Sequence, residues 1–341
     1  MPAALAFINP RLSTRNVGDH FIEDSVKRIL TYDPEHSIDV DPRKPISAES
    51  IDAINQRQAA VIVGTNLWYR DVLHEGRWMF SMDDLRKIKV PIIPLGVGTT
   101  RHRGEDNAFT AESLEILRWL HDHCEQASAR DPRTLEALEE AGFTNARMTG
   151  CPTLYRSLMS EWNLVAPKDS KRLVLTVRKG HRKNIRRLCK MLEASGWEIL
   201  VAAQQEKDNY FRKSIPLIQK AKPTLYDYDI KPYQREVADA FGVIGWRLHG
   251  NMLHLAHGNP AAYFANCSRA ASFCEAFRLP CVVAEDGDII PDSELEAAVG
   301  RLTDPESFEP FRERYGHYVK EMAGFLTANG LGHHLCPEVA V

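Results

Sequence analysis

The chain of 341 residues lacks a long apolar run, a Cys-x-x-Cys pair and any marked excess of one charge. No stretch approaches the roughly 20 apolar residues that a membrane-spanning helix needs, so stable insertion in a bilayer is not expected. The apolar run at 3–8 is too short for a secretion signal and stops at Asn9-Pro10. Seven cysteines, an odd number, sit at 124, 151, 189, 267, 274, 281 and 336. Without a close pair they fit reduced, mostly buried thiols of a cytoplasmic protein. Cys267, Cys274 and Cys281 recur every seven residues, but the span crosses an expected helix and an expected strand, and the repeat reads as chance. A formal net charge of -3 leaves no electrostatic footprint for nucleic acid, although local basic runs such as 178–183 are present. No solenoid repeat or low-complexity segment appears.

What remains is an ordinary globular composition, 44% hydrophobic and 26% charged, on a chain long enough for two cores. Buried-strand patterns at 3–8, 59–64, 90–95, 127–129 and 146–148 alternate with helical patterns near 20–30, 47–58, 109–123 and from Pro132. Asp19 is read as the cap of the first helix. Asp131, before Pro132, is read as a cap rather than an acid catalyst. A polar segment at 164–170, holding Pro167, reads as a linker. A second series follows: strands at 172–177, 197–202, 224–226, 241–245, 261–265 and 280–284, with helices at 182–195, 208–220, after 247 and at 269–277. A last helix near 305–326 carries Phe311, Tyr315, Tyr318 and Met322 at packing spacing. The expected fold class is α/β, two Rossmann-like domains with mostly parallel sheets. The expected boundaries are 1–163, linker 164–170, 171–304, and 305–341 packing back. Such folds bind ligands beyond the carboxyl ends of their strands, so a cleft between the domains is the default site.

The most informative stretch is Gly245-Trp246-Arg247-Leu248-His249-Gly250-Asn251, between an apolar strand and a helix that ends at Gly258-Asn259-Pro260. Read as an extended turn, it aims Arg247 and His249 to one side. A guanidinium can fork onto a carboxylate or phosphate, and an imidazole beside it can move a proton near neutral pH. Arg178 ends the strand at 172–177. Gly64 with Asn66, and Gly96 with Gly98, follow strand ends, where glycine lets backbone amides approach a ligand or simply allows a tight turn. Trp68 stacks on a sugar ring or, as aromatics in loops more often do, anchors the core. His254 and His257, three apart on a helix, have metal-ligand spacing, but a core or surface role is preferred and no metal site is expected.

Asn16-x-Gly18-Asp19, the Gly64 turn, Pro94-Leu95-Gly96-Val97-Gly98, Ala129-Arg130-Asp131 and Arg247-Leu248-His249-Gly250 together resemble the polysaccharide pyruvyl transferases over about residues 10–285. The resemblance implies a fold like the GT-B glycosyltransferases, with the first domain on the acceptor side and the second on the donor side. It implies transfer of pyruvate, as a ketal, from phosphoenolpyruvate to hydroxyls of a saccharide or lipid-linked saccharide. Near-neutral charge and the lack of an apolar anchor segment add the expectation of a cytoplasmic protein, at most loosely membrane-associated; no further cofactor is expected, and a homo-oligomer is left open. The candidate site residues are then His249 for proton transfer, Arg247, Arg178, Arg269, Leu248 and Gly250 for the donor, and Asn16, Gly18, Asp19, Gly64, Asn66, Trp68, Gly96 and Gly98 as acceptor-side or loop residues; Arg178, Asn66 and Trp68 enter by their places at or past strand ends, the others through the matching motifs. Arg269 stands where the family usually has lysine, and Cys151-Pro152 where many members show Asp-Pro; Gly64-Thr65-Asn66 is poorer in glycine than the family pattern. Two other readings stay open: a nucleotide-sugar glycosyltransferase of the same architecture, and a non-catalytic binder of sugar or anion.

Overall fold

The computed structural model describes residues 2–64, 66–73, 78–99, 108–165, 169–209 and 230–336. The expected strand at 224–226, most of the expected helix at 208–220, and Thr65 and Thr100 lie outside the described residues. The chain forms two compact units, one of Met1–Thr14, Ile22–Ser160 and Gly316–Val341, the other of Arg15–Phe21 and Glu161–Tyr315. The short segment at 15–21, which pattern alone puts in the first domain, thus counts with the second unit.

In the first unit, β1 (Leu5–Ile8) is followed by α1 (Val17–Ile29), whose residues up to Phe21 count with the second unit, then by β2 (Ile38–Val40), α2 (Ala48–Asn55), β3 (Ala59–Val63), β4 (Asn66–Trp68), α3 (Met82–Leu85) and β5 (Ile92–Leu95). Then come β6 (Gly98–Thr99), α4 (Ala111–Asp122), β7 (Ala127–Ala129), α5 (Pro132–Glu140) and β8 (Ala146–Met148). The main sheet is parallel in the order β2-β1-β3-β5. β1, β3 and β5 are apolar and buried throughout, as strands covered on both faces are, while the edge strand β2 exposes Asp39. A parallel β7-β8 pair joins through the bridge between Val97 and Ala129. Ser47 caps α2 and Thr110 caps α4 by accepting from backbone amides. Asp131 caps α5, with Pro132 in the first turn. Asp19 is not the cap of α1: the helix starts two residues earlier, and Asn16 accepts from the Gly18 amide instead. The chain's end returns to this unit, where Thr31 N donates to Gly332 O at 2.8 Å and Asn329 brackets Gln126.

The second unit holds β9 (Arg172–Thr176), α6 (Arg182–Ala194), β10 (Glu198–Ala202), α7 (Ile230–Asp239), β11 (Gly242–Gly245), α8 (Leu248–Ala256), β12 (Ala261–Ala265), α9 (Ser268–Ala276), β13 (Cys281–Val283) and α10 (Asp292–Thr303). α11 (Glu309–Ala328) starts here and ends in the first unit. All five strands are parallel, in the order β10-β9-β11-β12-β13. Their core takes Ile185, Leu188 and Leu192 from α6 and Leu295, Ala298 and Leu302 from α10. Trp162, Phe308 and Phe311 form a separate aromatic contact, and Trp162 Nε1 donates to Leu255 O at 2.6 Å. Of the seven free cysteines, Cys151, Cys189 and Cys274 are buried, Cys124 and Cys281 half-buried, and Cys267 and Cys336 exposed, so the thiols are less enclosed than expected. Cys274 and Cys281 nonetheless come close enough to act on one another: burial, with Cys281, raises the Cys274 thiol pKa, and Cys274 lowers that of Cys281.

Candidate functional site

The strand order of the second unit reverses between β9 and β11, and the carboxyl ends of those two strands meet there. An open parallel sheet binds its ligands at such a point. Close approach is enforced by Gly245, whose φ of +149° suits glycine and whose added Cβ would lie 2.2 Å from Thr176 O. The Thr176 hydroxyl donates to Asn251 Oδ1 at 2.6 Å, and Arg247 N donates to Thr176 Oγ1 at 3.2 Å. Asn251 Nδ2 then donates to Gly245 O at 3.2 Å and Ala262 O at 2.9 Å, tying β11 and β12 to the first turn of α8. Asn251 is fully buried, and its amide is satisfied on both sides, as burial demands.

The expected extended turn is instead a helix start. Arg247 takes extended dihedrals as the residue before α8, and Leu248 and His249 already belong to the helix. Arg247 is anchored rather than free. Its Nε donates to Val177 O at 3.1 Å, and its Nη2 reaches Gln205 Oε1 at 3.4 Å and pairs with Asp208. Asp208 Oδ2 in turn accepts from Gln204 N at 3.2 Å and Gln205 N at 3.0 Å. Burial lowers the Arg247 pKa and the Asp208 charge opposes that shift.

His249 is buried against the segment that opens α1. A Cβ on Gly18 would lie 2.5 Å from Gln204 Nε2 and 3.1 Å from His249 Nδ1. Gln204 Nε2 donates to Asn16 Oδ1 at 2.9 Å, Gln204 Oε1 accepts from Gly250 N at 3.1 Å, and Val17 N donates to Gln204 O at 3.0 Å. One carboxamide therefore joins Asn16 to the first turn of α8. Gly250 is needed for space: its Cβ would be 2.5 Å from the Tyr233 hydroxyl. Tyr233 packs edge-on to Phe21 at 5.0 Å, and its hydroxyl has no hydrogen-bond partner among the described residues. Burial raises the Tyr233 phenol pKa.

Arg178 follows β9 and bonds Asp286 Oδ1 at 3.4 Å; His181 Nε2 lies 2.9 Å from the same oxygen. The charges of Arg178 and Asp286 both act on Arg247, which puts the three in one electrostatic neighbourhood. Arg269 stands in the first turn of α9, just past β12, half-buried. It forms no ion pair with a described residue, and its Nε is buried without a partner. Leu248, half-buried, opens α8.

Gly64, Asn66, Trp68, Gly96 and Gly98 assemble in the first unit. Arg130 Nε donates to Gly96 O at 3.0 Å and Nη1 to Asn66 Oδ1 at 3.4 Å. The Gly96 amide donates to Ser128 Oγ at 2.8 Å, so it is committed to the fold and not left for a ligand. Gly64 and Gly98 have the same packing logic: an added Cβ would meet Gly96 O at 2.6 Å or Asn66 Oδ1 at 3.1 Å. Trp68 is a core side chain, 1% exposed among Trp78, Phe80 and Leu85, and has no face for a sugar ring. Asp19 is half-buried in the first turn of α1. His254 is fully buried, with neither ring nitrogen bonded to a described residue, and burial pulls its pKa down to about 3. No group of three metal-ligating side chains occurs among the described residues.

Pattern reading passed over Thr176, Gln204, Asp208 and Asn251 as site residues. Three of them follow or end a strand at the carboxyl edge of the sheet, and Asn251 is a polar residue within the apolar pattern of α8; those were the available signals.

The family pattern described as polysaccharide pyruvyl transferase matches residues 16–268. The chain belongs to that family. The match runs from Asn16, at the opening segment, to Ser268, beside Arg269, and so takes in the Arg247–Gly250 block. A pyruvyl transferase family member is a saccharide-modifying transferase by class. No curated protein matches the sequence. Among solved structures, S. aureus MnaA with UDP superposes with TM-score 0.52 at 11% identity, covering 92% of this chain and 91% of that one. The UDP-GlcNAc 2-epimerase of Neisseria meningitidis, bound to UDP-GlcNAc, gives 0.51 at 11% identity over 96% and 100%. That of Methanocaldococcus jannaschii gives 0.50 at 12% over 91% and 96%. At these identities the likeness shows the fold alone: α/β, with parallel sheets, of the GT-B type. Among the described residues no helix is long and apolar enough to cross a membrane.

Proposed function

We propose that this pyruvyl transferase family member moves the pyruvyl group of phosphoenolpyruvate onto two hydroxyls of a saccharide, free or lipid-linked, as a ketal. One observation carries the reading. The Asn16–Gly18 motif and the Arg247–His249 motif, far apart in sequence, meet through Gln204, with His249 Nδ1 next to Gly18.

Phosphoenolpyruvate brings a carboxylate and a phosphate. Arg247 and Arg178 each already face a carboxylate, which fixes their direction and offsets much of their charge. Arg269, without an ion-pair partner among the described residues, supplies the uncompensated positive charge. Its guanidinium forks onto planar anions where a lysine would act as a point charge. In the reaction two acceptor oxygens bond to the central carbon of the donor, and the bond from that carbon to the phosphate oxygen breaks. The methylene carbon gains one proton to become a methyl group; of the two hydroxyl protons, the other leaves with the phosphate. His249 is the group for one of these proton transfers. The arginines stabilise charge that grows on the departing phosphate.

Phosphorus NMR on the full chain with phosphoenolpyruvate and a panel of oligosaccharides tests the reading. The expected result is conversion of the donor signal to inorganic phosphate that requires both a saccharide and His249, and is lost in His249→Gln. Turnover of UDP-sugars in place of phosphoenolpyruvate overturns it. The fold likeness to UDP-GlcNAc 2-epimerases makes that outcome the one to set beside it.

A further inference from the structure

We infer that α6 and the loop beside it dock this protein on an anionic bilayer surface. The inner side of α6 is apolar and buried, through Ile185, Leu188, Cys189 and Leu192. At 3.6 residues per turn, Arg182, Arg186, Lys190 and Lys183 fall within an arc of about 100° on the other side. All four are exposed, as is Lys179 just before the helix. Lys179, Lys183, Arg186 and Lys190 form no ion pair with a described residue. On a chain with a net charge of -3, this strip is a local concentration of positive charge. Glu193 is the acid that shares the arc.

Glu285 and Asp288 are exposed in the loop beside Ile289 and subtract from the positive charge there, Asp288 accepting from the Glu285 amide at 2.8 Å; the other nearby acids are paired or lie to one side. Asp286 faces Arg178 and His181, and Asp292 faces Arg187. Glu294 and Glu296 are exposed on α10, which packs beside α6 and bounds the strip.

A second feature sits next to the cations. Asn184 Nδ2 donates to Asp288 O at 2.7 Å, Ile290 N donates to Asn184 Oδ1 at 3.1 Å, and Arg187 Nη1 donates to Ile290 O at 2.6 Å. These bonds pin the loop to α6 and hold Ile289 outward, 55% exposed. A basic strip about 12 Å long with an apolar tip at its side is complementary to a leaflet of anionic headgroups over hydrocarbon. It is a poor match to nucleic acid, because the arc has no aromatic side chain to stack on a base and no amide to read one. The amino end of α6 follows β9 at the same carboxyl edge of the sheet as Arg178 and Arg247, so docking brings that edge to the headgroups. That a lipid-linked acceptor waits there rests on the pyruvyl-transfer reading; the docking itself does not.

The test is co-sedimentation of the full chain with phosphatidylglycerol–phosphatidylcholine vesicles, with phosphatidylcholine vesicles and duplex DNA as comparisons, at low and high salt. The expected result is binding to the anionic vesicles alone, released by salt. Lys183→Ser/Arg186→Ser/Lys190→Ser weakens it by about fivefold per charge, near a hundredfold together. Ile289→Ser weakens it further without changing the salt dependence. Equal binding of the triple variant, no preference for anionic vesicles, or tighter binding to DNA at the same salt overturns the inference. The triple variant keeps the wild-type response to phosphoenolpyruvate, so failure of docking and failure of the donor reading are separately visible.

Discussion

Arg247 and Asp208 form an ion pair buried on both sides, with side chains 5% and 0% exposed. Removing one partner strands the other charge in the interior, which costs about 3–5 kcal/mol. Asp208→Leu and Arg247→Met should each lower the melting temperature by on the order of ten degrees. The double substitution should recover most of that loss, because neither charge is then left alone. A thermal-melt cycle over the four proteins measures the coupling, and additive losses would show that the pair is not a unit.

Gly18→Ala isolates space from stability. The position is helical, where alanine is favoured over glycine by about 1 kcal/mol. The added methyl nevertheless meets Gln204 Nε2 at 2.5 Å and His249 Nδ1 at 3.1 Å. The variant should melt no lower than wild type by more than a few degrees, yet lose transfer by on the order of a hundredfold through displacement of His249. Steady-state rates beside melting curves check both halves.

Gln204 has two bonds of opposite sense, donating to Asn16 and accepting from Gly250 N. Gln204→Glu keeps the acceptor but turns a carboxylate toward Asn16 Oδ1. Gln204→Leu loses both. The expected destabilisation is about 1 kcal/mol for the first and about 2 kcal/mol for the second. Hydrogen exchange of the Gly250 amide distinguishes them: protection should survive in the Glu variant and fall in the Leu variant.

His254 sets an acid limit on stability. Burial lowers its pKa from 6.5 to about 3, so the folded state stays neutral where the unfolded state takes a proton. This contribution is present in full above about pH 6.5 and is lost as pH falls toward 3, by about 1.4 kcal/mol per unit. Burial lowers His121 and His181 in the same direction. His254→Leu should flatten the fall in melting temperature between pH 6.5 and 4; an unchanged slope would place the acid sensitivity elsewhere.

The regular parts of both units were legible because buried parallel strands are near-continuous apolar runs, as in 59–64 and 261–265. β4 and β6 were not: three and two residues long, they carry too little pattern, and tertiary pairing alone defines them. α10 was missed because Asp292, Glu294 and Glu296 dominate its outer face, and α1 was started late because Asn16 and Asp19 are equally good caps by type. In the site, Arg247, His249, Asn16 and Gly18 stood out by residue type. Asp208 and Gln204 did not, because their roles depend on which strand end lies beside which, and that is a property of strand order rather than of local sequence.

Phosphoenolpyruvate is proposed to bind beside Arg247 and His249, with Arg269 as the uncompensated cation. The most direct test is the melting temperature of the full chain against phosphoenolpyruvate and UDP-GlcNAc, in the wild type and in Arg269→Ala. A ligand at about 100 times its dissociation constant stabilises the folded state by about 2.7 kcal/mol, a shift of several degrees. The expected result is that shift with phosphoenolpyruvate and its loss in Arg269→Ala. A shift with UDP-GlcNAc and none with phosphoenolpyruvate would contradict it.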